Sequence, residues 1–175
     1  QPRSAEAYIW HYPAVWMTKL SAEAMHLPII QAHTDEIGSQ EEVLCLNDVF
    51  SKNKFDAVVL GGVGLQETQI REVKKIADKF GMKTIVPHMN LTSEQLLREE
   101  IDSGLDILLT EAAAGGLTKD LIVMQINNNF LLLKQLSERH GFDVLGEGGS
   151  YNTFVTDAPF FEKRIDILDY DTLWE

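Results

Sequence analysis

The chain has 175 residues, with 15 Lys+Arg against 27 Asp+Glu and a formal net charge of −12. The length suits one domain of roughly 100–200 residues, and 45% hydrophobic against 24% charged residues excludes global disorder. So negative a surface repels phosphate backbones and anionic bilayers, which disfavours nucleic acid and membrane partners.

In chain order, Gln1-Pro2-Arg3 lacks an initiator Met, so the chain is expected to be processed, truncated or partly unseen. No apolar run approaches a membrane span, and no basic-then-apolar signal opens the chain. Leu27–Gln31 reads as a strand. Ser39 and Glu42 have the spacing of a capping box, followed by an apolar stripe of Val43, Leu46 and Phe50. The single cysteine, Cys45, excludes a disulfide framework or a cysteine zinc site, fits a reducing cytoplasm, and lies on the apolar side of that helix.

Asp56–Leu60 is a buried-strand pattern that ends at Gly61-Gly62. Ile70, Val73, Ala77 and Phe80 then recur at helical spacing up to Gly81. Lys83–Val86 is a strand closed by Pro87. Thr92-Ser93-Glu94-Gln95 is a second capping box, and its helix ends at Gly104. Leu105–Leu109 is a further strand, and a long helix is predicted over residues 118–140, stopped by Gly141. Alternating solidly apolar strands with helices predicts an α/β fold with a parallel sheet flanked by helices. Asn152–Thr156 and Lys163–Leu168 are β-like and predict a C-terminal β-rich appendage.

Ligands of such sheets bind beyond the carboxyl ends of the strands. That rule selects residues 61–67, 88–90 and 111–116. Gly61, Gly62 and Gly64 precede a helix N-terminus suited to an anion, although Gly62-x-Gly64-x-x-Glu67 lacks the third glycine of a dinucleotide fingerprint. Glu67 stands in the first turn, where it either binds a ligand or complements the helix dipole.

The most informative stretch is residues 146–161. Gly146, Gly148 and Gly149 permit close backbone approach around Glu147, which is placed to bind a metal or to orient an amine or ammonium. Asp157 either joins that site or caps the turn before Pro159.

This stretch resembles the G-E-G-G-E-x-x-T-x-V-x-D-x-P-L-F signature of the diphthine–ammonia ligase family, a branch of the ATP pyrophosphatases. Ala7-Tyr8-Ile9-Trp10-His11 is similar to its S-Y-M-F-H stretch, Glu94-Gln95-Leu96-Leu97-Arg98-Glu99 to its E-E-L-L-R-E helix, and residues 112–117 to its A-A-E-G-L. Residues 61–70 fall where the family carries G-A-I-x-S-E-Y-Q, with Glu67 and Gln69 on its Glu and Gln.

The resemblance implies a Rossmann-like sheet of the adenine nucleotide alpha-hydrolase type over residues 1–141, with 142–175 completing the substrate side. It implies ATP and Mg²⁺ as cofactors, with no metal ligands assigned. The implied activity adenylates the carboxylate of diphthine on translation elongation factor two; ammonia then displaces AMP to give diphthamide. It places Glu147, Asp157 and Glu67 in the chemistry. It places Gly61, Gly62, Gly64, Gln69, His11, Gly146, Gly148 and Gly149 around the nucleotide. Protein substrate and ammonium are the partners, the location is cytoplasmic, and a homo-oligomer is compatible with all of this.

The family's S-G-G-x-D-S phosphate loop is absent from this chain. The expectation is that the first strand–helix unit lies outside it, and that the chain alone is inactive without that unit. Ser150 replaces the second Glu of the tail motif, and Val123-Met124 stands where Gly-Arg is usual. These departures keep two alternatives open: a divergent ATP pyrophosphatase that adenylates another carboxylate, and a degenerate, non-enzymatic nucleotide-binding module.

Other residues read more plainly. No pair of the five histidines has metal spacing; His88 follows a strand at the binding edge, and His26 and His140 read as exposed helix ends. Tyr8, Trp10, Tyr12 and Trp16 read as packing rather than an adenine stack. Asn127-Asn128-Asn129 reads as an exposed polar face. No Ser or Cys sits in a nucleophile elbow.

Overall fold

The computed structural model describes Trp10 and residues 15–38, 40–61 and 67–174. The chain divides into two compact units: Gln1–Trp16 with Ile29–Asn90, and Met17–Pro28 with Leu91–Glu175. It is mixed α/β.

The first unit contains α2 (Cys45–Lys52), β1 (Ala57–Val59), α3 (Glu67–Lys79) and β2 (Lys83–Ile85). β1 and β2 pair in parallel, with Ala57 opposite Lys83 and Val59 opposite Ile85. Val43, Phe50, Val73, Ile76, Ala77 and Met82 form its core, and Trp10 packs against it. Two of the aromatic residues thus part company, since Trp16 is exposed; Tyr8, Tyr12 and the N-cap candidate Ser39 lie outside the described residues.

Glu42 is fully buried, and its carboxylate accepts the N–H groups of Gly38 (3.0 Å) and Trp10 (3.3 Å). A buried charge needs such donors, so this glutamate pins the loop before α2 to Trp10. Val59 and Ile85, opposite one another in register, are 61% and 45% exposed. Their apolar pattern predicted cover on both faces, which the described residues do not provide here. Leu27–Gln31 joins no strand. Pro28 removes a ladder donor from the middle of that run.

The second unit contains α1 (Thr18–Ala24), α4 (Ser93–Asp102), β3 (Asp106–Ala112), α5 (Ile126–His140) and β4 (Tyr151–Asp157). The predicted capping box is present. Thr92 Oγ1 accepts the Gln95 N–H at 3.2 Å, and Gln95 Oε1 accepts the Thr92 N–H at 2.9 Å. β3 pairs antiparallel with β4, with irregularities beside Asp106 and at Thr110. The described strands therefore form two two-stranded sheets, one parallel and one antiparallel, and β3 belongs to the antiparallel one. Residues 164–174 form no strand, so the second β-like run, Lys163–Leu168, is irregular. One backbone bond, from Ile165 N–H to Thr156 O (2.8 Å), ties it to β4. Leu97, Ile107, Leu109, Ile126, Phe130, Leu133 and Tyr151 fill the core of this unit.

The long helix predicted from residue 118 begins only at Ile126. Ahead of it, Lys119–Leu121 makes a single 3₁₀ turn. Val123 then donates its N–H to Leu109 O (2.8 Å), and Leu109 donates to Met124 O (3.0 Å). The second edge of β3 would otherwise carry unpaired groups, and satisfying it outweighs local helix propensity. Asn127 continues this edge with its side chain: its amide oxygen accepts the Ile107 N–H (2.8 Å) and its amide nitrogen donates to Leu105 O. Asn129 donates to Gln125 O at 2.8 Å. The asparagine run is therefore not an exposed polar face; only Asn128 is exposed. Its position at a helix start was the available signal.

Candidate functional site

Two loop regions hold the predicted site residues, one in each unit. In the first unit, β1 and β2 run parallel, so their carboxyl ends share one edge. Gly61 follows β1 there, exposed, with open space where a Cβ would stand. Glu67 opens α3 and is exposed, and Gln69, two residues on in the same first turn, is half-buried. Gly62, Gly64 and His11 lie outside the described residues. His88 occupies the turn after β2, and its Nδ1 is buried with no hydrogen-bond partner among the described residues. A buried ring nitrogen left unpaired at a sheet's binding edge is an available contact for a ligand.

In the second unit, two predicted segments come together. The main-chain N–H groups of Ala113 and Ala114 both donate to Ser150 O, at 3.0 and 2.9 Å. This lays the loop after β3 against the glycine-rich loop before β4. Gly146 has φ +88°, and a Cβ there would stand 2.8 Å from Tyr151 O, so only glycine fits. Gly148 (φ +75°) and Gly149 (φ +80°) face open space. Glu147 lies between Gly146 and Gly148, half-buried, its carboxylate without a partner among the described residues. Ser150, in place of a second glutamate, turns its hydroxyl to Glu147 O at 3.2 Å. Tyr151 anchors the loop: its buried hydroxyl donates to Val144 O, and burial pushes its pKa well above the usual phenol value.

Asp157 stands at the opposite end of β4 from Glu147. A seven-residue strand separates the two ends by roughly 20 Å. The Asp157 carboxylate accepts the Ala158 N–H at 2.9 Å, the bond of a turn cap. The helix matching E-E-L-L-R-E also has a structural task. Glu94 pairs with Lys134 and with Arg98, each at 2.9 Å, while the Arg98 guanidinium lies 4.3 Å from the Phe130 ring centroid. These contacts tie α4 to α5 and hold the Glu94 carboxyl below the usual range, Lys134 contributing most.

Sequence reasoning missed the pairing of Glu111 with Asn152, whose amide donates to Glu111 Oε2 at 2.6 Å. It depends on the β3–β4 register, which no local pattern encodes.

Two family models match the chain almost end to end. The diphthamide synthase N-terminal domain covers residues 1–84 and its C-terminal domain covers 92–175. A diphthine–ammonia ligase of Danio rerio is 30% identical over 183 residues, spanning 96% of this chain and 71% of that protein. The chain belongs to the diphthine–ammonia ligase family. Similar diphthine–ammonia ligases include that of Mus musculus, 29% identical over 91% of this chain and 65% of that protein. That of Schizosaccharomyces pombe is 26% identical over 91% of this chain and 26% of that protein. The chain thus spans about two thirds of these animal diphthine–ammonia ligases and about a quarter of the yeast one.

Proposed function

We propose that this protein is an ATP-dependent ligase that adenylates the carboxylate of diphthine on translation elongation factor two. Ammonia then takes the place of AMP to form diphthamide, with pyrophosphate released earlier. The observation that carries this reading is the match to both diphthamide synthase domains along the chain.

On this reading the nucleotide half is a Rossmann-like sheet over residues 1–141, and 142–175 completes the substrate side. ATP would lie at the carboxyl edge of β1 and β2, held by Gly61, Gly62, Gly64 and Gln69, with His11 and Glu67 beside it. The open space at Gly61 and the unpaired His88 Nδ1 fit such a ligand. Bound ATP supplies AMP as the leaving group that a carboxylate lacks. The described residues assemble no group of three His, Cys, Asp or Glu able to hold a metal ion. Mg²⁺ is therefore assigned no ligand among the described residues, and no step rests on it.

Glu147 does the work assigned to this chain's side chains. Its free carboxylate orients the incoming ammonia and accepts a proton as the amide forms. Gly146, Gly148 and Gly149 let the substrate approach the loop backbone. Asp157 serves through the turn it caps, as a positioning residue. No helix among the described residues is long and apolar enough to cross a membrane, and we assign the protein to the cytoplasm.

The test uses the protein in its full natural length, with ATP, ammonium and elongation factor two that bears diphthine. AMP formation that requires all three is the expected result. AMP formation indifferent to diphthine would sink this reading.

A further inference from the structure

The first unit carries a cavity at the end of its sheet opposite Gly61 and His88. Phe55 lies two residues before β1 and Met82 directly before β2, at the amino edge of the parallel pair; Gly61 and His88 follow the carboxyl edge. A three-residue strand sets the two edges about 10 Å apart. Phe50, Phe55, Phe80, Met82, Lys52 and Lys54 line a cavity of about 350 Å³ at the amino edge. That volume falls within the usual range for small organic ligands, ~300–1,000 Å³. We propose that this cavity binds a small, free aromatic carboxylate.

The lining decides the class. Phe50 is buried and meets Phe55 and Phe80 edge-on, with ring centroids 6.0 Å away in both pairs and interplanar angles of 73° and 78°. Phe55 and Phe80 are each 39% exposed, so both keep ring surface open to a third partner. Open aromatic edges and faces favour another ring, offset or perpendicular, over an alkyl chain of equal area. Met82, buried beside them, adds a thioether that also packs well on rings.

The two lysines set the charge, because no Asp or Glu among the described residues lines the cavity. Lys52 reaches Asp48 at 3.4 Å, whereas Lys54 has no ion pair among the described residues. The remaining polar side chains of the wall are committed. The Ser51 hydroxyl donates to Asp48 O at 3.0 Å and the Asn53 amide to Val49 O at 2.8 Å. One unneutralised ammonium beside an aromatic wall suits a ligand with one ring and one carboxylate. Exposed Lys79 and Lys83 flank Phe80 and Met82 in sequence and add positive charge on a chain whose net charge is −12. Of the acids nearest in sequence, Asp78 is held by Lys74 at 2.9 Å, and Asp56 does not line the cavity. The cavity lies at the edge away from the proposed nucleotide site, so this inference holds whether or not the ligase reading does.

The experiment titrates the whole chain with sodium 3-phenylpropionate at constant ionic strength and follows the backbone amides of Lys54, Phe55 and Met82 by NMR. Saturable shifts of these amides are expected, with the Glu111 amide unmoved. 3-Phenylpropanol, which lacks the charge, and 3-cyclohexylpropionate, which lacks the ring, should each bind about fivefold more weakly or worse. Lys54→Gln should weaken 3-phenylpropionate binding by about fivefold. Lys54 is exposed, so this variant should fold with an unchanged melting temperature. Phe80→Leu keeps the apolar bulk, removes the ring and should weaken binding severalfold. A linear, non-saturating shift, equal affinity for either analogue, or undiminished binding by Lys54→Gln would overturn the proposal. N-acetyl-phenylalanine, which mimics the end of a peptide chain, distinguishes the source of the carboxylate. Weaker binding than that of 3-phenylpropionate supports a free ligand. Tighter binding would overturn it in favour of a peptide terminus.

Discussion

At one end of the β3–β4 pair, Asp106 is held by the Arg164 guanidinium at 2.7 Å and accepts from the Gln125 amide at 3.3 Å, and Asp157 accepts the Ala158 N–H. At the other end, Glu147 has no partner among the described residues and Glu111 shares only one oxygen with Asn152. The same two strands thus carry committed carboxylates at one end and available ones at the other. A paired carboxylate does structural work, and releasing it for a ligand would cost its hydrogen bonds. An unpaired one in a glycine-rich loop meets a ligand without first breaking anything. The contrast separates Glu147 from Asp157, which sequence motifs place in one signature.

Substitutions can break or sharpen that contrast. Glu147→Gln should lower kcat/KM of the full-length protein by about a hundredfold and leave the melting temperature unchanged, since no native bond is lost. A loss of stability instead would place Glu147 with the committed group. Gly146→Ala should destabilise by about 2–3 kcal/mol in urea unfolding, because the new Cβ meets Tyr151 O in a left-handed backbone region. Asn127→Ala should cost about 2 kcal/mol, since it strands the Leu105 carbonyl and the Ile107 N–H that the side chain satisfies.

Val123 sits at φ +68°, a region costly for a β-branched residue. Val123→Gly should therefore stabilise by about 1 kcal/mol, the strain relief exceeding the added unfolded-chain entropy. The smallest effect belongs to Asp157→Asn. It keeps the turn-capping oxygen, so stability should move by less than about 0.5 kcal/mol and activity by less than about twofold. A hundredfold activity loss there would join Asp157 to Glu147 and erase the distinction between the ends.

Acidification tests the ties of α4. Lys134 and Arg98 depress the Glu94 pKa in the folded state. Its stabilising contribution is therefore present above the unfolded carboxyl value and disappears as pH falls through the lower folded one. Glu94→Gln should flatten stability against pH in that acid window, and a melting series would show it.

Much of this molecule was legible without coordinates because the signals were local. The Thr92–Gln95 capping box, the stops at Gly81 and Gly141, and the strands near residues 57 and 83 each rest on a few neighbouring residues. The order of motifs likewise carried the family. Long-range pairing decided the rest. β3 required partners on both edges, which cut the predicted helix back to Ile126, put Val123 into the left-handed region and turned Asn127 inward. The antiparallel register brought Glu111 to Asn152 and Ser150 O to the loop at Ala113. By itself, then, the sequence determined which residues were able to serve a site, because residue type and turn chemistry are local properties. Only the tertiary structure decided which carboxylates remained free to do so, because a hydrogen-bond partner is set by what folding brings within about 3 Å.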